Sequence, residues 1–109
     1  MIVRFQPSVR IEWRAYRDAE TGGWVAVCDA LGRSAVNETW DGLCATIFET
    51  QHVFFTDLLV EGELQPFLRD HGLLAQTELP AHLPENGVKF DLPTVVTPMA
   101  GVNVSMSKV

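Results

Sequence analysis

From Val9 to Tyr16 apolar and polar residues alternate without interruption. Val9, Ile11, Trp13 and Ala15 fall on one side, and Arg10, Glu12, Arg14 and Tyr16 on the other. Only an extended chain sends successive side chains to opposite faces, so this period of two predicts a strand with one buried face. Such a strand cannot stand alone: its backbone groups need paired neighbours and its apolar face needs a cover. The next residues supply the neighbours. "RDAETGG" (Arg17 to Gly23) is a turn cluster whose glycines tolerate positive φ. "WVAVCDA" is a second β-rich run, with Val25 and Val27 on one face and Trp24, Ala26 and Cys28 on the other. "RSAVNE" after Gly32 is a third. Three strands joined by short loops predict an antiparallel meander.

At Trp40 the period changes. Trp40, Leu43, Cys44, Ile47, Phe48, Phe54, Phe55, Leu58 and Leu59 recur at three- and four-residue steps, which makes an apolar stripe on one long helix. Thr39 is its expected N-cap, Asp41 sits in the first turn where a negative charge suits the helix dipole, and Gly62 marks its end. Gly42 stands where Glu or Gln would complete a capping box, so no box is expected. Gln51 falls inside the stripe, and a buried amide there needs a hydrogen-bond partner.

"ELQPFLRDHG" predicts a short second helix, and "QTELPAHLPENG" a loop. "VKFDLPTVVTP" and "GVNVSMSKV" read as extended, with "PMAG" between them as a hairpin loop. In the last segment Val102, Val104 and Met106 alternate with polar residues and offer an edge for self-association. The expected class is therefore α+β: an antiparallel three-stranded meander, a long helix and further C-terminal strands, in one domain over residues 1–109.

A chain of 109 residues, 47 % hydrophobic and 20 % charged, has the composition of a globular domain with one modest core. No apolar run approaches the roughly 18 to 20 residues that span a bilayer, and the opening residues lack a signal-peptide pattern. A cytoplasmic location with no membrane association is expected, and the two cysteines, Cys28 and Cys44, read as packed thiols. The net charge of −6 is unevenly placed. Residues 1–37 hold five arginines against four carboxylates, net +1; the remainder holds three bases against ten carboxylates, net −7. An acidic surface gains nothing from phosphate counterion release, which disfavours nucleic acid and favours a basic protein partner.

No pattern of catalytic chemistry emerges. Gly22, Gly23 and Gly32 fit neither dinucleotide nor nucleotide phosphate loops. Cys28 has no base brought to it by spacing, whether His52, His71 or His82. Asp18, Glu20, Asp29, Glu49 and Asp57 read as turn and surface charges more readily than as a metal cluster. No catalytic residue, metal ligand or cofactor is assigned. The outward strand face of Arg10, Glu12, Arg14 and Tyr16 is the candidate partner-binding surface.

The succession "DAETGGWVAVCDALGRSAVNETWDGL", set between an aromatic-bearing strand and a long apolar-striped helix, resembles the HicB-like antitoxin family. Gly22, Gly23 and Trp24 match its turn and aromatic, and Val25, Ala26 and Val27 its second strand. Gly32 matches its turn glycine, and Glu38 with Thr39 its acid–threonine lead into the helix. The likeness covers roughly residues 9–60. It implies a β-β-β-α-β, partial ribonuclease H-like domain without that enzyme's catalytic acids. Such proteins bind and block a small toxin that cleaves messenger RNA, form dimers or larger assemblies, and often carry a C-terminal operator-binding segment. The chain departs from the pattern at Ala30-Leu31, where a leucine and proline are usual, and at Gly42. The acidic, proline-punctuated C-terminal part has no basic helical DNA reader. A toxin-neutralising binder is thus the leading expectation, and a self-associating module without a toxin partner the alternative.

Overall fold

The computed structural model describes residues 1–104, with side chains as far as Met99. The chain is α+β. Its elements are β1 (Ile2–Arg4), β2 (Ile11–Asp18), β3 (Trp24–Cys28), β4 (Arg33–Asn37), α1 (Trp40–Val60), α2 (Leu64–Asp70), β5 (Lys89–Asp91) and β6 (Thr94–Val104). Two compact units are distinguishable: Met1–Ile11 with Gln51–Pro93, and Glu12–Thr50 with the chain from Thr94. Among the described residues no helix is long and apolar enough to cross a membrane.

In the second unit a four-stranded sheet has the order β4-β3-β2-β6. β2 and β3 pair antiparallel, as do β3 and β4, with Ala15 opposite Ala26 and Ala26 opposite Ala35. The alternation in the sequence is realised: Ile11, Trp13 and Ala15 are buried, while Glu12 and Arg14 are exposed. β2 starts two residues later than the alternation and continues through Arg17 and Asp18, which the sequence assigns to the turn. Arg17 lies opposite Trp24, and the Asp18 N–H donates to the Gly23 carbonyl at 2.9 Å, so the loop shrinks to residues 19–22. The Gly22 N–H closes it onto the Asp18 carbonyl at 2.8 Å, with Gly22 at φ 75° where a β-carbon would be strained.

The junction between β4 and α1 is a compact polar latch. Thr39 caps the helix: its Oγ1 accepts the Gly42 N–H at 3.0 Å. Asn37 Oδ1 accepts the Thr39 N–H at 3.2 Å, and Asn37 Nδ2 donates to Thr46 Oγ1 at 3.3 Å. Thr46 in turn donates to the Gly42 carbonyl at 2.9 Å. Gly42 is explained by this arrangement, since a β-carbon there would lie 2.6 Å from Asn37 Cγ. The helix gives up propensity and a capping box so that the Asn37 amide can rest against its first turn. Trp24 meets Trp40 edge-on at 4.9 Å beside this latch, and Leu43 and Ile47 are fully buried.

α1 ends on Gly62 at φ 73°, with the Glu63 N–H on the Leu58 carbonyl and the Gly62 N–H on the Leu59 carbonyl. These are the two bonds of a Schellman motif. α2 ends the same way on Gly72. In the first unit the core is aromatic: Phe55, fully buried, meets Phe5, Phe54, Phe67 and Phe90 at centroid distances from 5.3 to 6.1 Å. Tilted and edge-to-face geometry at such spacing adds to simple area burial. Gln51 is fully buried and partnered.

Two features depart from expectation. β1 is an additional strand, pairing in parallel with β5 through Ile2–Lys89, Val3–Phe90 and Arg4–Asp91. Three residues are too few to show a period. The "PMAG" hairpin loop does not form: residues 98–101 lie inside the continuous strand β6, and the break falls at Leu92-Pro93. β6 is at the sheet's edge, where Pro98, lacking an N–H, is tolerated.

Gly42→Ala tests the latch. Overlap with Asn37 should outweigh the helix-propensity gain, for a net loss of about 1–2 kcal/mol in chemical denaturation. In an Asn37→Ala background the same change should become neutral or stabilising.

Candidate partner-binding surface

Every second residue of β2 that is not part of the buried row projects to the opposite face of the sheet. The register places Arg14 opposite Val27, which lies opposite Ser34, and Tyr16 opposite Val25, which lies opposite Val36. The candidates Glu12 and Arg14 are exposed and Tyr16 is half-buried on that face; Arg10, also exposed, precedes the strand. Arg14 is engaged within the chain: its Nη2 lies 2.9 Å from both carboxylate oxygens of Asp29. With both side chains well exposed, that pair orients Arg14 more than it stabilises the fold. Arg10 and Glu12 are partnered too. The face is thus an ordered mixture of charge and apolar surface, with Val36 half exposed.

The same end of the sheet holds a recess of about 510 Å³, lined by Asp18, Thr21, Gly23, Trp24, Val36, Asn37 and Glu38. The hairpin loop and the strand leading into the helix form its sides. Asp18 is only 3 % exposed, and its Oδ1 accepts the Glu20 N–H at 2.9 Å. Thr21 Oγ1 accepts the Gly23 N–H at 3.2 Å, which fixes the loop. Arg17 lies with its guanidinium 4.9 Å from the Trp24 ring centroid, a cation–π contact. Asp18, which the sequence assigns to the turn, continues the outward series of Glu12, Arg14 and Tyr16, and extending that period by one step is the signal that could have found it.

The first unit has a groove of about 470 Å³ lined by Leu68, Leu73 and Leu74, with Arg69 and Glu78 among its polar residues. Of the self-association candidates, Val102 and Val104 fall on β6, and Met106 lies outside the described residues.

Of the remaining reactive side chains, Cys28, His52 and His71 make contacts within the chain. Cys28 is fully buried, and that burial pushes its thiol pKa above the ordinary value, with a smaller contribution from the neighbouring Asp29 charge. The neutral thiol is a poor nucleophile. His52 meets the Phe90 ring edge-on at 5.9 Å, and His71 stacks on Phe67 at 4.0 Å with its Nδ1 3.0 Å from the Phe67 carbonyl. Among the described residues no three His, Cys, Asp or Glu side chains converge to hold a metal ion.

Two measurements check the thiol assignment. Alkylation of the native protein should label half-buried Cys44 and reach Cys28 only on unfolding. Because the folded Cys28 pKa is raised above 9.0, the stability from its neutral form is intact below that pH and is lost as pH climbs through the folded value. Cys28→Ala should remove that share of the alkaline loss. In comparisons with protein-family models, curated proteins and solved structures, the chain matches none.

Proposed function

We propose that this chain is a non-catalytic, HicB-like protein that binds and neutralises a small basic nuclease of the toxin type. The observation that carries the reading is the succession β2, β3, β4, α1 with β6 beside β2. Three consecutive antiparallel strands, a long helix and a returning strand agree with a partial ribonuclease H-like domain. The residues behind the likeness act as its turns and cap: Gly22 and Gly32 take positive φ, and Thr39 caps α1. The net charge of −6 suits a basic partner, through steering of encounter as well as affinity. The sheet face bearing Arg14, Tyr16 and Val36 is the docking element in this reading. A protonated, buried Cys28 and aromatic-packed histidines favour binding over catalysis.

A second reading, self-association without a toxin partner, is favoured by the position of β6 at the sheet edge, where its outer backbone groups can pair with another copy. Pro98 within β6 limits how much of that edge can pair.

Co-expression with the product of the adjacent reading frame tests the first reading. Relief of that protein's growth arrest and recovery of a complex that weakens with salt are the expected results; an adjacent frame that encodes no small basic protein, or an unrelieved arrest, contradicts it. Light scattering of the full chain over a concentration series tests the second, which a constant monomer mass would refute.

A further inference from the structure

We propose that Asn86, which Gly87 follows, is a site of spontaneous covalent modification. Its side-chain amide is lost through a cyclic imide, at a rate set by the turn that holds it, and the product loosens the β1–β5 pairing. The site lies within the first unit and is independent of what the chain binds.

In such a step the backbone nitrogen of Gly87 loses its proton to hydroxide and attacks Cγ of Asn86. The new N–Cγ bond closes the imide, the Cγ–Nδ2 bond breaks, and the nitrogen leaves as ammonia after taking up a proton from water. A second water opens the ring at one of its two carbonyls, which leaves aspartate or isoaspartate; nothing is oxidised or reduced. The attack needs an accessible amide and a following residue with no β-carbon to crowd the ring. Of the three asparagines, Asn37, Asn86 and Asn103, only Asn86 precedes a glycine. Asn86 is also exposed. Asn37 is its opposite: Glu38 follows it, its Oδ1 accepts the Thr39 N–H at 3.2 Å, and its Nδ2 donates to Thr46 Oγ1 at 3.3 Å.

The turn is the gate. The Gly87 N–H donates to the Pro84 carbonyl at 3.0 Å, with Gly87 at φ 76°, so the nitrogen that must attack is held in the closing bond of the turn. Ring closure waits on local opening of that bond. The consequence follows from what the turn precedes. Only Gly87 and Val88 separate Asn86 from β5, where Lys89 stands opposite Ile2. The Lys89 N–H donates to the Met1 carbonyl at 2.9 Å, and the Met1 amino group lies 3.4 Å from the Gly87 carbonyl. Isoaspartate routes the main chain through its β-carbon, which adds one backbone atom directly before these contacts. A pairing of three residues has little reserve against that displacement.

The test is incubation of the full chain at mildly alkaline pH, folded and in denaturant, read by peptide mass spectrometry and by isoaspartyl methyltransferase labelling. The folded chain should gain acid and isoaspartate at Asn86 and at neither other asparagine. It should do so roughly three- to tenfold more slowly than the denatured chain, as for a nitrogen held by one hydrogen bond. Asn86→Ser should abolish the label. In the aged chain, amide exchange of Val3 and of Lys89 to Asp91 should quicken relative to fresh protein, while that of β2 and β3 stays unchanged. A folded chain that stays unlabelled while the denatured one reacts, or that reacts first at Asn37 or Asn103, overturns the site. Equal folded and denatured rates overturn the gate, and unchanged exchange in β1 and β5 of the isoaspartate form overturns the loosening.

Discussion

The approach of Asn37 to Gly42 is the constraint on which the join of sheet and helix in the second unit depends. One amide turns the chain out of β4 through its bond to the Thr39 N–H and braces the helix through Thr46. This is possible only because position 42 has no β-carbon. From that fixed start α1 runs 21 residues, first burying Leu43 and Ile47 and later Phe55 and Leu59. An error in the direction of the first turn would misplace Leu43 and Ile47, which lie within two turns of it. Isolated helix propensity is secondary here: a glycine in the first turn lowers it, and tertiary contacts restore the balance.

The sheet supplies a different kind of order. Alternation from Ile11 to Tyr16 in β2 commits one row to packing and leaves the other on the opposite face of the sheet. A shift of register by one residue would exchange the rows, and Trp13, fully buried, makes that exchange costly. The outward row is therefore held by the core behind it. Arg14 is further oriented by Asp29, and Asp18 by the hairpin loop it closes. A face ordered before any partner arrives loses little conformational entropy on binding, which suits the reading of this chain as a binding module.

How much of this was legible in the sequence depended on length and locality. The alternation at the start of β2, the single long helix α1, the Thr39 cap and the stops at Gly62 and Gly72 are local signals that are realised, whereas the stripe of α1 is buried only in part, with Leu43, Ile47, Phe55 and Leu59 in the core and Phe48 exposed. β1 was invisible because its three residues gain their form from β5, far along the chain. "PMAG" has turn composition, yet these residues lie inside β6, at the edge of the sheet where a proline is tolerated. Gly42 looked like a departure from a family pattern; only the contact with Asn37 gives it a reason. The outward face of β2 was legible from period two alone. The recess was not, because it joins a hairpin loop to a strand end, and burial of Asp18 follows from their proximity.

In the proposed function the sheet face, and not a catalytic centre, is the working element. Hydrogen exchange on this chain with and without the product of the adjacent reading frame tests it most directly. The account predicts new amide protection concentrated on β2, β3, the loop at 19–22 and the β4–α1 junction. Protection confined to α2 and the loop after it, with the sheet unchanged, would contradict it.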